Sequence, residues 1–207
     1  MVQASPPSNP PLAVPAVRRG YHHGNLREAL LEAARQLVAE RGPQGFTLTE
    51  AARRAGVSPS APYRHFRDKE EVLAELCRRG VILFGERLRQ AAAGATDPAE
   101  ALGRMGPVYL AFAREEPGYY ATMFAFQPAG GDGPEAAKDG PFEGLLRAIA
   151  GLLPQGAWQE TRLVALQVWA LSHGVAMLER AGLPPGEDAP PAERLLERGV
   201  AALLGRP

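Results

Sequence analysis

A chain of 207 residues that is 45% hydrophobic can bury a substantial core, which excludes a disordered protein and allows one large domain or two small ones. Its 23 basic and 23 acidic residues cancel, but unevenly: residues 1–90 carry 14 Lys and Arg against 9 Asp and Glu, and residues 91–207 carry 9 against 14. A basic half followed by an acidic half points to a polyanion partner for the first, so the zero net charge does not exclude nucleic acid.

Residues 1–18 are rich in proline with little to pack, the composition of a disordered tail. From Asn25, an N-cap residue, Leu26, Leu30, Ala33, Ala34, Leu37 and Val38 recur on one helical face until Gly42-Pro43 stops the run. Thr47 then precedes Leu48 and stands three before Glu50, a capping box that opens a short second helix to about Ala55. Gly56 follows where a helix end favours a left-handed residue. Ser58-Pro59 reads as the N-cap and first position of a third helix. Two short helices joined by a glycine-containing turn make a helix-turn-helix.

Asp68 opens a fourth helix to about Ala93, with Val72, Leu73, Leu76 and Leu83 along its inner side. Asp97-Pro98 starts a fifth, carrying Leu102, Met105, Tyr109 and Phe112. "PGYYATMF" makes a short sixth, and a glycine-rich loop runs from Gln127 to Pro141. Two helices follow at about 141–153 and 157–181, and the last, from Pro191 to Leu204, separates an apolar side from a charged one. Nothing alternates like a strand. The expected fold is all-α with about nine helices: a tail over 1–18, a three-helix helix-turn-helix domain over 19–67 and a larger helical domain over 68–207.

Several functions find no support. The lone Cys77 cannot form an internal disulfide or be resolved as a redox sensor, and reads as an inert helix residue. No Cys or His cluster has metal-ligand spacing, so neither metal nor cofactor is expected. The adjacent His22 and His23 face different ways on a helix and suit solvent or phosphate. The N-terminus lacks the pattern of a signal peptide, and the longest apolar stretch is interrupted by Gln167, Ser172 and His173, so a cytoplasmic protein without a membrane span is expected. No nucleophile elbow, phosphate loop or apolar carboxylate pair supports an enzyme.

The helix-turn-helix carries the chemistry. Its second helix presents its N-terminal residues to base edges in the major groove. Pro62 and Phe66, four apart, belong to the core with Val57, leaving Pro59, Ser60, Ala61, Tyr63 and Arg64 toward DNA. Ser60 hydrogen-bonds either way, Pro59 and Ala61 suit a thymine methyl, and Arg64 reaches a guanine edge or phosphate. Tyr63, His65, Lys69 and either Thr47 or Thr49 suit phosphate oxygens; a lysine at a helix start is otherwise opposed by the dipole. Because Pro62 lacks the N–H that would bond back to Ser58, the third helix should be short, with Ala61 displaced from helical angles.

The run "YHHGNLREALLEAARQLVAERGPQGFTLTEAARRAGVSPSAPYRHFRDKEEVLAEL" resembles the DNA-binding domain of the TetR family of bacterial transcriptional regulators over residues 20–77, with "AGVSPSAPYRHFRDKE" as its turn pattern. The resemblance implies phosphate contacts by Tyr63, His65 and Lys69, base contacts by Pro59 to Ala61 and Arg64, and Thr47 and Thr49 opening the supporting helix. Pro62 departs from the family's usual leucine. "VWALSHGVAML", with Trp169, His173 and Gly174, resembles the C-terminal domain of the family's Trp-His-Gly subgroup, in which this helix pairs with the last to form a four-helix dimer interface and walls an effector cavity.

On that basis Met105, Tyr109, Phe112, Tyr120, Met123, Phe124, Trp169, His173 and Met177 are candidates for an effector pocket, although aromatic residues at helical spacing also build ordinary cores. His173 either satisfies a neighbour in the core, the commoner fate of a buried histidine, or points into the cavity. Ala170 and Gly174, with Leu195, Leu196, Val200 and Leu203, are candidates for a dimer interface. The expected protein is a homodimeric repressor released from a palindromic double-stranded operator by a small-molecule effector. The rival is an effector-independent DNA-binding dimer whose C-terminal half only dimerises, and a cavity or a filled core separates the two.

Overall fold

The computed structural model describes residues 26–126, 140–182 and 189–205. The tail over 1–18, His22, His23, Asn25 and most of the loop from Gln127 lie outside the described residues. Among the described residues there are eight α-helices and no strand: α1 (Leu26–Arg41), α2 (Leu48–Arg54), α3 (Lys69–Ala92), α4 (Pro98–Glu115), α5 (Pro117–Ala125), α6 (Pro141–Ala150), α7 (Trp158–Arg180) and α8 (Ala192–Leu203). The expected third helix is reduced to a 3-10 turn, Pro62–Arg64, which accounts for eight α-helices in place of nine.

The helix boundaries follow local chemistry. Thr47 and Glu50 form the reciprocal capping box of α2, the Asp68 carboxylate accepts from the Glu71 N–H at the start of α3, and Asp97 accepts from Ala99 and Glu100 at α4. Pro98, Pro117 and Pro141 occupy first positions, where a missing N–H costs nothing. Gly42 ends the chain's run through α1, and Gly56 the turn after α2, at φ 77° and 71°, angles that a side chain opposes.

Two apolar cores result. The first joins the inner face of α1 (Leu30, Leu31, Leu37, Val38) to Phe46, Leu48, Ala51, Phe66, Val72, Leu73 and Leu76. The second begins at Cys77 and gathers Phe84, Leu88 and the inner faces of α4 to α8. Helix α3, about 36 Å long for its 24 residues, belongs to both. Helix α5 also joins them: Tyr119 packs against each core, and Gly118 lies so close to the Arg35 carbonyl of α1 that a Cβ would collide with it. Around that junction Arg35 ion-pairs with Glu116 at 3.2 Å, and Arg87 reaches Glu115 at 2.7 Å and Glu116 at 3.1 Å. Among the described residues no helix is long and apolar enough to cross a membrane.

Candidate nucleic-acid interface and C-terminal cavity

Between α2 and α3 the chain is held by short-range backbone bonds. Ala61 N–H donates to the Ser58 carbonyl at 3.0 Å, Arg64 N–H to Ala61 at 3.3 Å, and His65 and Phe66 both to Pro62 at 2.9 Å. The absent N–H of Pro62 favours this tighter pattern over an α-helix. Pro62 is buried, as its core position requires. Two expectations fail. Ala61 keeps helical angles, φ −60° and ψ −40°, because its bond to Ser58 and its packing outweigh the steric pressure of the following proline. For the same reason Ala61 is 8% exposed and belongs to the core, away from the outward face.

The outward face comprises Ser58, Pro59, Ser60, Tyr63 and Arg64, all exposed, with Tyr63 at 60%. Ser58 does not cap the turn; its hydroxyl lies 3.3 Å from that of Ser60, so the two form one polar edge. Most arginines of this half are neutralised: Arg54 by Glu40 at 2.6 Å, Arg41 by Glu50, Arg67 by Glu71, Arg79 by Glu28 and Glu75. Arg53 and Arg64 have no ion pair or hydrogen bond from their side chains among the described residues. Arg53 and Ser58 were missed in the sequence, where nothing distinguishes an unpaired arginine from a paired one.

The flanking candidates are more engaged. The Thr47 hydroxyl donates to the Glu50 carboxylate at 3.0 Å and accepts from Glu50 N–H at 3.2 Å, so it acts as a cap. That hydroxyl, the Thr47 N–H and Arg41 hold the Glu50 carboxyl below its usual range. Thr49 is half-buried on the first turn of α2, and His65 is half-buried beside Arg64. Lys69 donates to the Gln44 carbonyl at 3.1 Å with its ammonium 4.9 Å from the Phe46 ring centre, which offsets the dipole repulsion expected at a helix start.

In the C-terminal half, a cavity of about 490 Å³ opens between α4, α7 and α8. Of the expected pocket residues, Met105, Tyr109 and Trp169 line it. Phe112 is stacked on Phe84 at 4.6 Å, and Tyr120 and Met123 are buried behind the wall. Met177 is 46% exposed, because it falls on the face of α7 that also leaves Ala170, Gly174 and Leu178 uncovered, while Val175 and Ala176 of the same turn face inward. His173 takes the core role: its Nδ1 lies 2.7 Å from the Tyr120 hydroxyl, itself 3.3 Å from that of Tyr109, and Phe124 packs on the imidazole at 4.5 Å. Burial lowers the imidazole pKa and raises that of Tyr120 to about 12.

Two residues expected at a dimer surface do something else in their own subunit. Leu196 is 3% exposed and faces Gly106 of α4, and Val200 lines the cavity beside it. The amphipathic stripe of α8 predicts burial without saying against which helix. Ala170 and Gly174 are exposed on α7, as is Leu203 on α8, and Leu195 is half-buried. Leu163, Leu166, Met177 and Leu178 extend the exposed apolar face of α7.

Comparison with known proteins agrees with this architecture. A curated relative from Haemophilus influenzae, described as an uncharacterized HTH-type transcriptional regulator, is 39% identical over 74 residues, which is 35% of this chain and 36% of that protein; the chain thus spans about a third of the length of the curated relative it matches. Among solved structures, a protein of unknown function from Rhodococcus sp. RHA1 is 26% identical with a TM-score of 0.70, over 91% of this chain and 98% of its own. A TetR-family regulator from Streptomyces coelicolor A3 is 27% identical with a TM-score of 0.51, over 92% and 99%. Residues 30–76 match the model for bacterial regulatory proteins of the tetR family, and residues 102–203 that for the tetracyclin repressor-like C-terminal domain. Since both halves are matched by models of one group, the chain belongs to the TetR family of transcriptional regulators.

Proposed function

We propose that the protein is a homodimeric repressor that binds a palindromic DNA operator and leaves it when a small molecule occupies the C-terminal cavity. The observation that carries the DNA assignment is the outward face Pro59, Ser60, Tyr63 and Arg64, the last without an ion pair among the described residues, held on the turn of a helix-turn-helix. Small side chains let the backbone approach the bases, and Arg64 supplies reach and charge. Tyr63, His65, Thr49, Lys69 and Arg53 surround it as phosphate contacts. A DNA partner supports the reading of a cytoplasmic protein.

The apolar face of α7, with Leu203 of α8, supports two-fold association through Ala170 and Gly174, where small side chains admit a second helix. This use of α7 fits the Trp-His-Gly subgroup. Two heads on one dimer would meet successive major grooves. The cavity favours the effector-responsive reading over a purely dimerising C-terminal half. Its wall reaches the head in two ways: through α3, which packs in both cores, and through Tyr109, Tyr120 and α5, whose Gly118 rests on α1. An effector that prefers the non-binding arrangement weakens DNA binding, and DNA weakens effector binding by the same factor.

Selection of genomic fragments by the purified protein at fixed salt, followed by titration of variants, tests the assignment. Arg64→Ala should cost about 1–3 kcal/mol on selected sites with little loss on random DNA, whereas Lys69→Ala should weaken both alike and reduce the salt slope by about one. Equal losses on both kinds of DNA for Arg64→Ala would remove it from the base-reading face.

A further inference from the structure

The cavity's chemistry narrows what can occupy it, on the effector-responsive reading above. Its floor is aromatic and aliphatic, with Tyr109, Trp169 and Met105. Its polar edge is dominated by acceptors. Glu193 and Glu197 on α8 line it, and among the described residues that line it there is no lysine, arginine or histidine. Glu193 is already paired with Arg114 at 2.9 Å, but Glu197 has no ion pair or hydrogen bond among the described residues.

Two further groups have the same character. The Ser172 hydroxyl gives its hydrogen to the Val168 carbonyl at 2.8 Å, which leaves its oxygen as an acceptor. Pro107, inside α4, has no N–H to return to the carbonyl four residues earlier, that of Gly103, and both residues line the cavity. The donors on the wall are fewer: the Trp169 indole, and the Tyr109 hydroxyl, which is engaged with Tyr120.

We infer that the cavity takes a lipophilic cation: a flat apolar body against Trp169 and Tyr109, with a protonated amine turned to the Glu197 edge. An ammonium brings several donors to a wall of acceptors and is attracted by the aromatic faces as well as by the carboxylates. A carboxylate ligand meets like charge, and none of the described residues lining the cavity is a cation; the nearby Arg114 is already engaged by Glu193 and Glu179. A volume of about 490 Å³ suits a drug-sized ring system.

Three probes of one shape test this: 1-pyrenemethylammonium, 1-pyrenemethanol and 1-pyrenecarboxylate. The two tryptophans are residues 158 and 169, so a Trp158→Phe background leaves Trp169 as the fluorescence donor whose quenching reports pyrene in the cavity. The ammonium should bind at least about tenfold tighter than the carboxylate, with the alcohol between them. Glu197→Gln should weaken the ammonium about threefold and leave the alcohol unchanged, and Val200→Phe, which narrows the cavity without adding a tryptophan, should weaken all three.

Equal binding of the three probes overturns the cation assignment and leaves the cavity as a binding site. Failure of all three to bind, or binding indifferent to Val200→Phe, overturns the site itself. So does a Glu197→Gln protein whose dimer affinity changes while probe binding does not, because a second copy would then cover this edge. The operator supplies the separate readout. Ammonium selectivity with no effect on operator binding supports the ligand class and removes the effector-responsive reading on which it rests.

Discussion

The reading turn and the cavity are built on opposite packing schemes. Around residues 58–66, Ala61, Pro62 and Phe66 are buried beneath an exposed face, and backbone bonds at three- and four-residue spacing fix its shape. In the C-terminal half the aromatic residues crowd to one side, with Phe84 against Tyr109, Phe112 and Trp169, and leave an open volume toward α8. The shape of the turn is set by bonds between near neighbours in the chain. The cavity is bounded by side chains from distant parts of the chain, whose positions depend on tertiary packing.

That contrast is open to measurement. The largest effect should come from Phe84→Ala, which removes a fully buried ring shared by three aromatic neighbours and should cost about 3–5 kcal/mol in chemical denaturation. Hydrogen exchange should show the loss in α4 to α7 more than in α1 and α2; an equal loss in both would mean that the halves unfold as one unit. Gly118→Ala should follow at about 1–3 kcal/mol, because its methyl meets the Arg35 backbone and α1 must separate from α5. If that variant melts like the wild type but loses operator binding, the junction carries coupling more than stability.

A smaller effect is expected from Thr47→Ala, which removes the α2 cap at about 1 kcal/mol and should increase exchange in α2 without altering probe binding in the cavity. The smallest is a pH effect confined to the head. Hydrogen bonds from Arg78, then Arg79, hold the Glu75 carboxyl down at about 2, and Arg79 also bonds Glu28, so the cluster ties α3 to α1. Because the folded value lies below the unfolded one, near 4.3, this contribution is full above that pH and is lost as pH falls toward 2. Thermal melts of Glu75→Gln should fall below the wild type at pH 6 and converge with it by about pH 2; a difference that persists there would assign the loss to packing.

The legibility of each region follows from the range of the forces that make it. Thr47 with Glu50, Asp68, Asp97 and the first-position prolines act within one turn, so the helix starts could be read from spacing. Pro62 is intermediate. The missing N–H predicted a shortened helix, and the structure answered with a 3-10 turn, yet the displacement expected at Ala61 did not occur because burial and a bond to Ser58 held it. The aromatic positions at Tyr109 and Trp169 were legible as apolar, but Phe112 and Met177 have the same periodicity and end in the core and on the surface.

The sequence by itself determined an all-helical chain and the place of its helix-turn-helix, because propensity, capping and apolar period are local properties that each segment carries with it. Only the tertiary structure decided that Leu196 packs on α4 and Val200 lines a cavity, that His173 bonds Tyr120, and that Arg54 and Arg79 are ion-paired while Arg64 finds no such partner among the described residues. Each of those outcomes depends on which helix comes to lie opposite, and an amphipathic stripe specifies that a face is buried without naming its partner.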